Sequence, residues 1–226
     1  MSINDQNRGA CVFCGREFAR GGMTRHLAKC EKRAEVWSKI NAKGQEGVLY
    51  HLQAQDADDR TYWLNLEVDG SAKLGDIDFY LRAIWLECCG HLSRFSIGGL
   101  WGRQIPMSRR IHQVFTEAAE VIHVYDFGTE SVTKIKRVGI RHGKPISKHP
   151  IVLMARNAAP VSTCQECKKT ATHFCEECRI EEDLPGLLCE RHAASHPHED
   201  YGEPIRIVNS PRLGMCGYSG PAEPPY

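Results

Sequence analysis

No stretch of this chain approaches the roughly 18 consecutive apolar residues of a membrane-crossing helix, so no span is expected. The opening, MSINDQNRGA, lacks the charged-then-apolar pattern of a secretory leader. A reducing, cytoplasmic setting is therefore expected, and with it thiols rather than disulfides. No phosphate-cradling loop, G-x-G-x-x-G, G-x-S-x-G or H-E-x-x-H pattern occurs. Asp126, Phe127 and Gly128 spell the DFG of a kinase. No glycine-rich loop, HRD-like loop or APE accompanies them, which excludes that reading. A strong overall charge is missing too: 29 basic side chains face 28 acidic ones, for +1. The balance is uneven along the chain. Residues 1–45 carry nine basic against four acidic groups, whereas residues 161–226 carry six against eleven. A basic head and an acidic tail imply different partners for the two ends.

What the chain does have is 11 cysteines and 11 histidines, most of them in two runs. The first long run is CQECKKTATHFCEECRIEEDLPGLLCERHAASHPH, over residues 164–198. Cys164 and Cys167 form one C-x2-C hook, and Cys175 and Cys178 a second. Cys189 and His192 follow as C-x2-H, then His196 and His198. Two hooks with trailing Cys/His ligands are a zinc pattern, and eight ligands close two tetrahedral sites. Sequential pairing gives a four-cysteine site followed by Cys189 with three histidines. Interleaved pairing puts Cys164, Cys167, Cys189 and His192 on one ion and Cys175, Cys178, His196 and His198 on the other. The interleaved form resembles the cross-brace of RING and B-box modules. It is favoured because it ties the LPGLL loop between two metals in a segment too short for its own core. His173, next to the second hook, does not fit the hook spacing and is left out.

The other run is CVFCGREFARGGMTRHLAKC, with ligands Cys11, Cys14, His26 and Cys30. It resembles a ββα zinc finger in which cysteine replaces the last histidine. Phe18 and Met23 sit where that finger has its small core over the metal. His26 and Cys30, at i and i+4, meet one metal if they lie on a helix. That helix is expected to run on through EKRAEVWSKI and end near 41–44. Three zinc ions per chain follow. Each proposed site has four protein ligands, the mark of structural rather than catalytic zinc.

Between the runs, VLYHLQAQD and TYWLNLEVDG read as strands around the turn-prone DADDR, with Tyr62, Leu64, Leu66 and Val68 on one face. LGDIDFYLRAIWLECC has helical period, with Asp76 near its start and Gly90 as its stop. HLSRFSIGG reads as a third strand, WGRQIPMSRR as a looser basic stretch, VIHVYDFG and SVTKIKRVGIRHG as a hairpin, and PIVLMARN as a last strand. The expected fold class is α+β. A small β-grasp-like sheet domain with one main helix, residues 46–160, is flanked by the finger at 1–43 and by the two-zinc module and tail at 161–226.

YHLQAQD, LGDIDFYLRAIWLECCGHLSRFSIGG, VYDFG and VNSPRLGMCGYSG together resemble the plasmid pRiA4b ORF-3-like family, also described as the passenger protein of an insertion element. The resemblance spans residues 48–220 and leaves the N-terminal finger outside. Members of that family with a metal cluster carry three C-x2-C hooks and then H-x-C. Here Cys189 with His192 takes the third hook and His196 with His198 the last pair. The resemblance implies an association with mobile elements and, through the cluster, zinc.

The functional expectation is a non-enzymatic zinc-binding interaction module. Arg16, Arg20, Arg25 and Lys29, with Lys32 and Arg33, cluster on the finger helix and suit nucleic acid, with Thr24 and Arg25 near the base-reading end. The acidic C-terminal module suits a protein partner. The alternative is a hydrolase or nuclease using Cys88, His91 and Asp126. Cys88, Cys89 and Cys216 otherwise read as small packing residues, with a fourth metal site joining Cys88, Cys89, His91 and Cys216 as the further alternative.

Overall fold

The computed structural model describes residues 8–40, 46–86, 89–198 and 200–221. The expected helix end at 41–44 and the candidate Cys88 lie outside these residues. No described helix is long and apolar enough to cross a membrane. The chain divides into two compact units, residues 1–81 with 91–158 and residues 82–90 with 159–225. The class is mixed α and β, dominated by a large antiparallel sheet.

The first unit is built on a nine-stranded sheet. Its strands are β1 (Arg8–Cys11), β2 (Glu17–Ala19), β3 (Gly47–Asp56), β4 (Trp63–Asp69), β5 (Ser93–Ile97), β6 (Arg103–Ile105), β7 (Glu120–Tyr125), β8 (Ser131–Gly143) and β9 (Ile151–Asn157). They lie in the order β2-β1-β9-β4-β3-β8-β7-β5-β6, and every pairing is antiparallel. The helices are α1 (Arg20–Leu27), α2 (Glu31–Lys39), α3 (Leu74–Leu81) and α4 (Ile111–Glu117). Asp76 accepts the Lys73 N–H at 2.7 Å and so holds the start of α3, in line with its expected place. The helix α4 falls where no element was expected. The Gln113 side chain accepts the Arg110 N–H at 3.3 Å at its start, and Ile111, Val114 and Phe115 are buried.

Strand β4 explains the layering. Its Leu64, Leu66 and Val68 form the apolar face read from the sequence, and all three are fully buried. On the same face of β3, Tyr50 stands 6.1 Å from the Phe115 ring of α4. The opposite face, Trp63, Asn65 and Glu67, is equally buried. Trp63 packs with Cys11, Met23, Leu27, Cys30 and Met154, which belong to the N-terminal segment and β9. Glu67 is bound by Arg33 of α2 at 2.9 Å. The N-terminal segment is therefore a layer of this unit. It also extends the sheet, because β1 pairs with β9 from Gly9–Asn157 to Cys11–Ala155. A bulge at Met154 shifts the β4–β9 register, and its carbonyl accepts the Val12 N–H at 2.9 Å.

Within the second unit, the ligand-bearing segment 164–198 has little apolar matter of its own, Phe174 and Leu188 being its large buried apolar side chains. A three-stranded sheet joins β10 (His173–Phe174), β11 (Leu187–Leu188) and β12 (Ile205–Arg206) in the order β11-β10-β12. Short helices α5 (Glu176–Ile180) and α6 (Glu190–Ala193) begin directly after Cys175 and Cys189 and carry the second ligand of each pair, Cys178 and His192. Leu188 packs with Cys175 and Cys178. Gly186 takes φ of 67°, and a Cβ there would lie 2.4 Å from the Cys175 carbonyl. That position admits only glycine, because the loop must close on the cysteine knuckle. The π-helical turn Arg82–Leu86 belongs to the same unit. Tyr218 donates to the Ala83 carbonyl at 2.9 Å, and Ser210 donates to that of Trp85.

Candidate metal centres

The twelve expected ligands come together as three sets of four, and within each set the ligand atoms lie within 4.8 Å of one another. Cys11, Cys14, His26 and Cys30 form the first: Cys11 ends β1, His26 lies on α1, and Cys30 stands in extended backbone just before α2, so the single helix expected through both His26 and Cys30 is instead broken at 28–30. In the second unit the sets interleave, as the short-segment argument favours. Cys164, Cys167, Cys189 and His192 form one, and Cys175, Cys178, His196 and His198 the other. No disulfide joins the described cysteines.

The spacings test whether a metal fits. A tetrahedral zinc with Zn–S near 2.3 Å and Zn–N near 2.05 Å has ligand–ligand edges of about 3.8 Å for S–S, 3.6 Å for S–N and 3.3 Å for N–N. In the first set Cys11 and Cys30 are 4.0 Å apart, and Cys14 lies 3.2 Å from His26 Nε2. In the second, Cys164 is 3.3 Å from His192 Nδ1 and Cys167 is 3.9 Å from Cys189. In the third, Cys178 is 3.2 Å from His196 Nε2, and the two histidine nitrogens are 3.1 Å apart. These are tetrahedron edges within a few tenths of an ångström. All three sets can hold a metal ion.

Local structure explains why these residues converge. Each C-x2-C hook turns back on itself. The Cys178 N–H donates to Cys175 Sγ at 3.4 Å, and the Gly15 N–H donates to the Cys11 carbonyl at 2.8 Å, with Gly15 at φ 70°. The Phe18 ring stacks on His26 at 4.3 Å between centroids and fixes the imidazole plane. His198 presents Nδ1 to the site while its Nε2 lies 3.4 Å from Glu182, a carboxylate partner that orients a ligating imidazole.

The proton chemistry suits a cation. Burial pushes the thiols of Cys11 and Cys178 up to about 11, so charge on them needs a counter-ion at the site. For Cys164 burial acts upward as well, but His192 and backbone N–H groups outweigh it and bring the thiol down to about 6. Burial also lowers His26 and His196, keeping the imidazoles in the neutral form that ligates metal.

The expected basic residues divide between exposed and engaged positions. Arg16, Arg25 and Lys29 are exposed. Arg20 is half-buried and donates to Gln53 at 3.4 Å and to Gln55, both on β3. Thr24, expected at a base-reading end, accepts from Gln53 at 2.8 Å and donates to Asn65 at 3.4 Å. Lys32 pairs with Glu35 at 3.0 Å, and Arg33 is buried on Glu67. His173 bonds Thr172 at 2.9 Å and joins no set. Of the alternative catalytic group, His91 lies 3.8 Å from Asp126 and 3.3 Å from the Tyr125 hydroxyl. Asp126 meanwhile caps its own turn through the Gly128 N–H at 3.1 Å. Sequence reasoning missed the polar cluster of Arg33, His51, Asn65, Glu67 and Arg141, which has no local spacing to betray it.

No protein-family model matches the chain, and no curated protein matches it. A solved protein of unknown function, MM3350 from Methanosarcina mazei Go1, is similar over 46% of this chain, with 19% identity and a TM-score of 0.40. The match spans 66% of that protein's length.

Proposed function

We propose that the protein is a non-enzymatic interaction module whose shape is held by three structural zinc ions. The observation that carries this is the sorting of twelve Cys and His ligands into three complete sets of four at tetrahedral spacings. A full set leaves no open coordination position for substrate, so zinc here supports structure rather than chemistry. The first set is read as a ββα finger with a Cys3His ligand group. The order β1, β2, α1, with Phe18 and Met23 beside the ligands, supports that reading.

The partner proposed for the finger is a nucleic-acid backbone. Arg16, Arg25 and Lys29 are its exposed cations, while Arg20 and Thr24 are engaged with β3 and β4. Contact through phosphates, without base reading, is what that division supports. The acidic second unit is proposed to meet a protein. The resemblance to the pRiA4b ORF-3-like family adds an association with mobile elements.

Elemental analysis of the purified chain tests the core of the proposal. Three zinc ions per chain are expected, and two or fewer overturn it. For the nucleic-acid partner, the triple change of Arg16, Arg25 and Lys29 to alanine should weaken binding at every sequence and flatten its salt dependence. Unchanged affinity removes the finger from nucleic-acid contact.

A further inference from the structure

Away from the ligand sets, the first unit contains a recess of about 280 Å³ between α1, α2 and the strands β3 and β8. Arg33, Trp37, His51, Glu67 and Arg141 line it, with Leu49 among its apolar walls. The Glu67 carboxylate holds both guanidinium groups, Arg33 at 2.9 Å and Arg141 Nε at 2.9 Å. The Trp37 ring lies against both cations, 4.3 Å from Arg33 and 4.6 Å from Arg141. Two cations therefore share one carboxylate, and the recess keeps one net positive charge. His51 adds none at neutral pH, because burial pushes its imidazole down to about 4.

The hydrogen-bond balance is one-sided. Arg33 Nε, Trp37 Nε1 and Asn65 Nδ2 are buried without a partner. Arg33 is 5% exposed and Asn65 0%, and Asn65 stands behind His51, 2.7 Å from its Nε2. All three orphans are N–H donors. What they lack is an acceptor, and the surplus charge calls for a negative one. The backbone is shaped for the same spot. A bulge at Val138 breaks the β3–β8 register beside His51, and opposite it Gly139 contributes no side chain to the recess. Bulges and bare glycines of this kind occur where a ligand approaches a sheet.

We propose that this recess binds a small oxyanion, a carboxylate or a phosphate, between Arg33, Arg141 and the Trp37 indole N–H. The arginines are already fixed by Glu67 and by the indole ring, so the ligand meets ordered donors. The site is independent of the three metal centres and of the nucleic-acid reading.

The test is an NMR titration of the isotope-labelled, zinc-loaded full chain with sodium phosphate and, separately, sodium propionate. Sodium chloride at matched ionic strength is the control. The Trp37 indole N–H and the Arg33 Nε–H are the probes. A saturable shift with phosphate, propionate or both, and none with chloride, is the expected result. Whichever anion saturates names the ligand class. Trp37→Phe keeps an aromatic ring against both arginines and removes one donor, so affinity read at Arg33 should fall about tenfold. Glu67→Gln removes the competing carboxylate and should tighten binding, which a purely structural Glu67 would not do. Gly139→Val fills the recess and should abolish the shift. A Cβ there meets only His51 at 3.5 Å and 3.9 Å, an ordinary contact in a strand that favours valine. Linear, unsaturated shifts with both anions, or full binding by Gly139→Val, overturn the proposal.

Discussion

Met23→Ala measures how firmly the N-terminal metal centre and the sheet are one body. Met23 is 0% exposed and packs with Trp63, itself 0% exposed, and with Met154 of β9. Removing its side chain opens a cavity walled by a tryptophan that β4 and β9 hold in place and by the buried ligand-set cysteines Cys11 and Cys30. Little collapse is open to such a site, so a cost of about 3 kcal/mol is expected, within the range for buried methionine truncation. For a unit of this size that lowers the melting temperature by roughly 6–12 °C. The assay is a thermal melt of the zinc-loaded chain combined with amide hydrogen exchange. Protection should fall in Arg8–Cys11 and also in Ile151–Asn157 and Trp63–Asp69, because the lost packing belongs to all three. If exchange rises only within the N-terminal segment while β4 and β9 and the melt stay as they were, the segment is a separate bead and the reasoning fails.

Gly9→Ala leaves every metal ligand in place. Its Cβ would nevertheless lie 2.0 Å from the Arg156 carbonyl and 2.7 Å from Trp63 Cη2. It should keep its zinc content and lose about 1–3 kcal/mol as β1 lifts from β9. An unchanged melt would contradict that clash. Cys175→Ser should cost one zinc and speed exchange in the β10–β12 sheet while β3 to β9 keep their protection, since the ligand segment 164–198 has so little apolar core. Uniform loss across 46–157 would refute that independence. Asp56 is 6% exposed, and burial raises its carboxyl from 3.8 to about 6. Its stabilising neutral form is complete below pH 4 and lost as pH rises through 6. Asp56→Asn should therefore stabilise the chain above pH 6 by at most about 3 kcal/mol and not below pH 4. A pH-independent difference in urea melts would exclude this cause.

The Cys/His ligand sets were legible because the chemistry of a metal site is local. Hooks such as Cys175 and Cys178 must sit three apart for both sulfurs to reach one ion, and that spacing is visible in the letters. The strands β3, β4, β5, β7, β8 and β9 were legible from alternation. What alternation conceals is whether the polar face meets water. Asn65 and Glu67 look like solvent-facing residues of a half-buried strand, yet both are buried beneath a segment more than 30 residues upstream. The pairing of Arg33 with Glu67 spans 34 positions, and nothing near either residue announces it. The sheet proved larger than expected for the same reason, since β1 pairs with a strand some 145 positions later. Helix α4 escaped notice because seven residues give barely two turns of period, and the preceding PMSRR reads as loop.

The place of β1 beside β9 carries one more consequence. Without β1 and β2, the sheet would end at β9, whose sequence IVLMARN is apolar, rich in strand-forming residues and nearly uncharged. An open edge of that composition is a template for another chain's strand. A metal ion held by Cys11, Cys14, His26 and Cys30, by keeping β1 folded against β9, would then be a guard against self-association: a chain stripped of that ion should turn sticky at one identifiable edge before it loses its core.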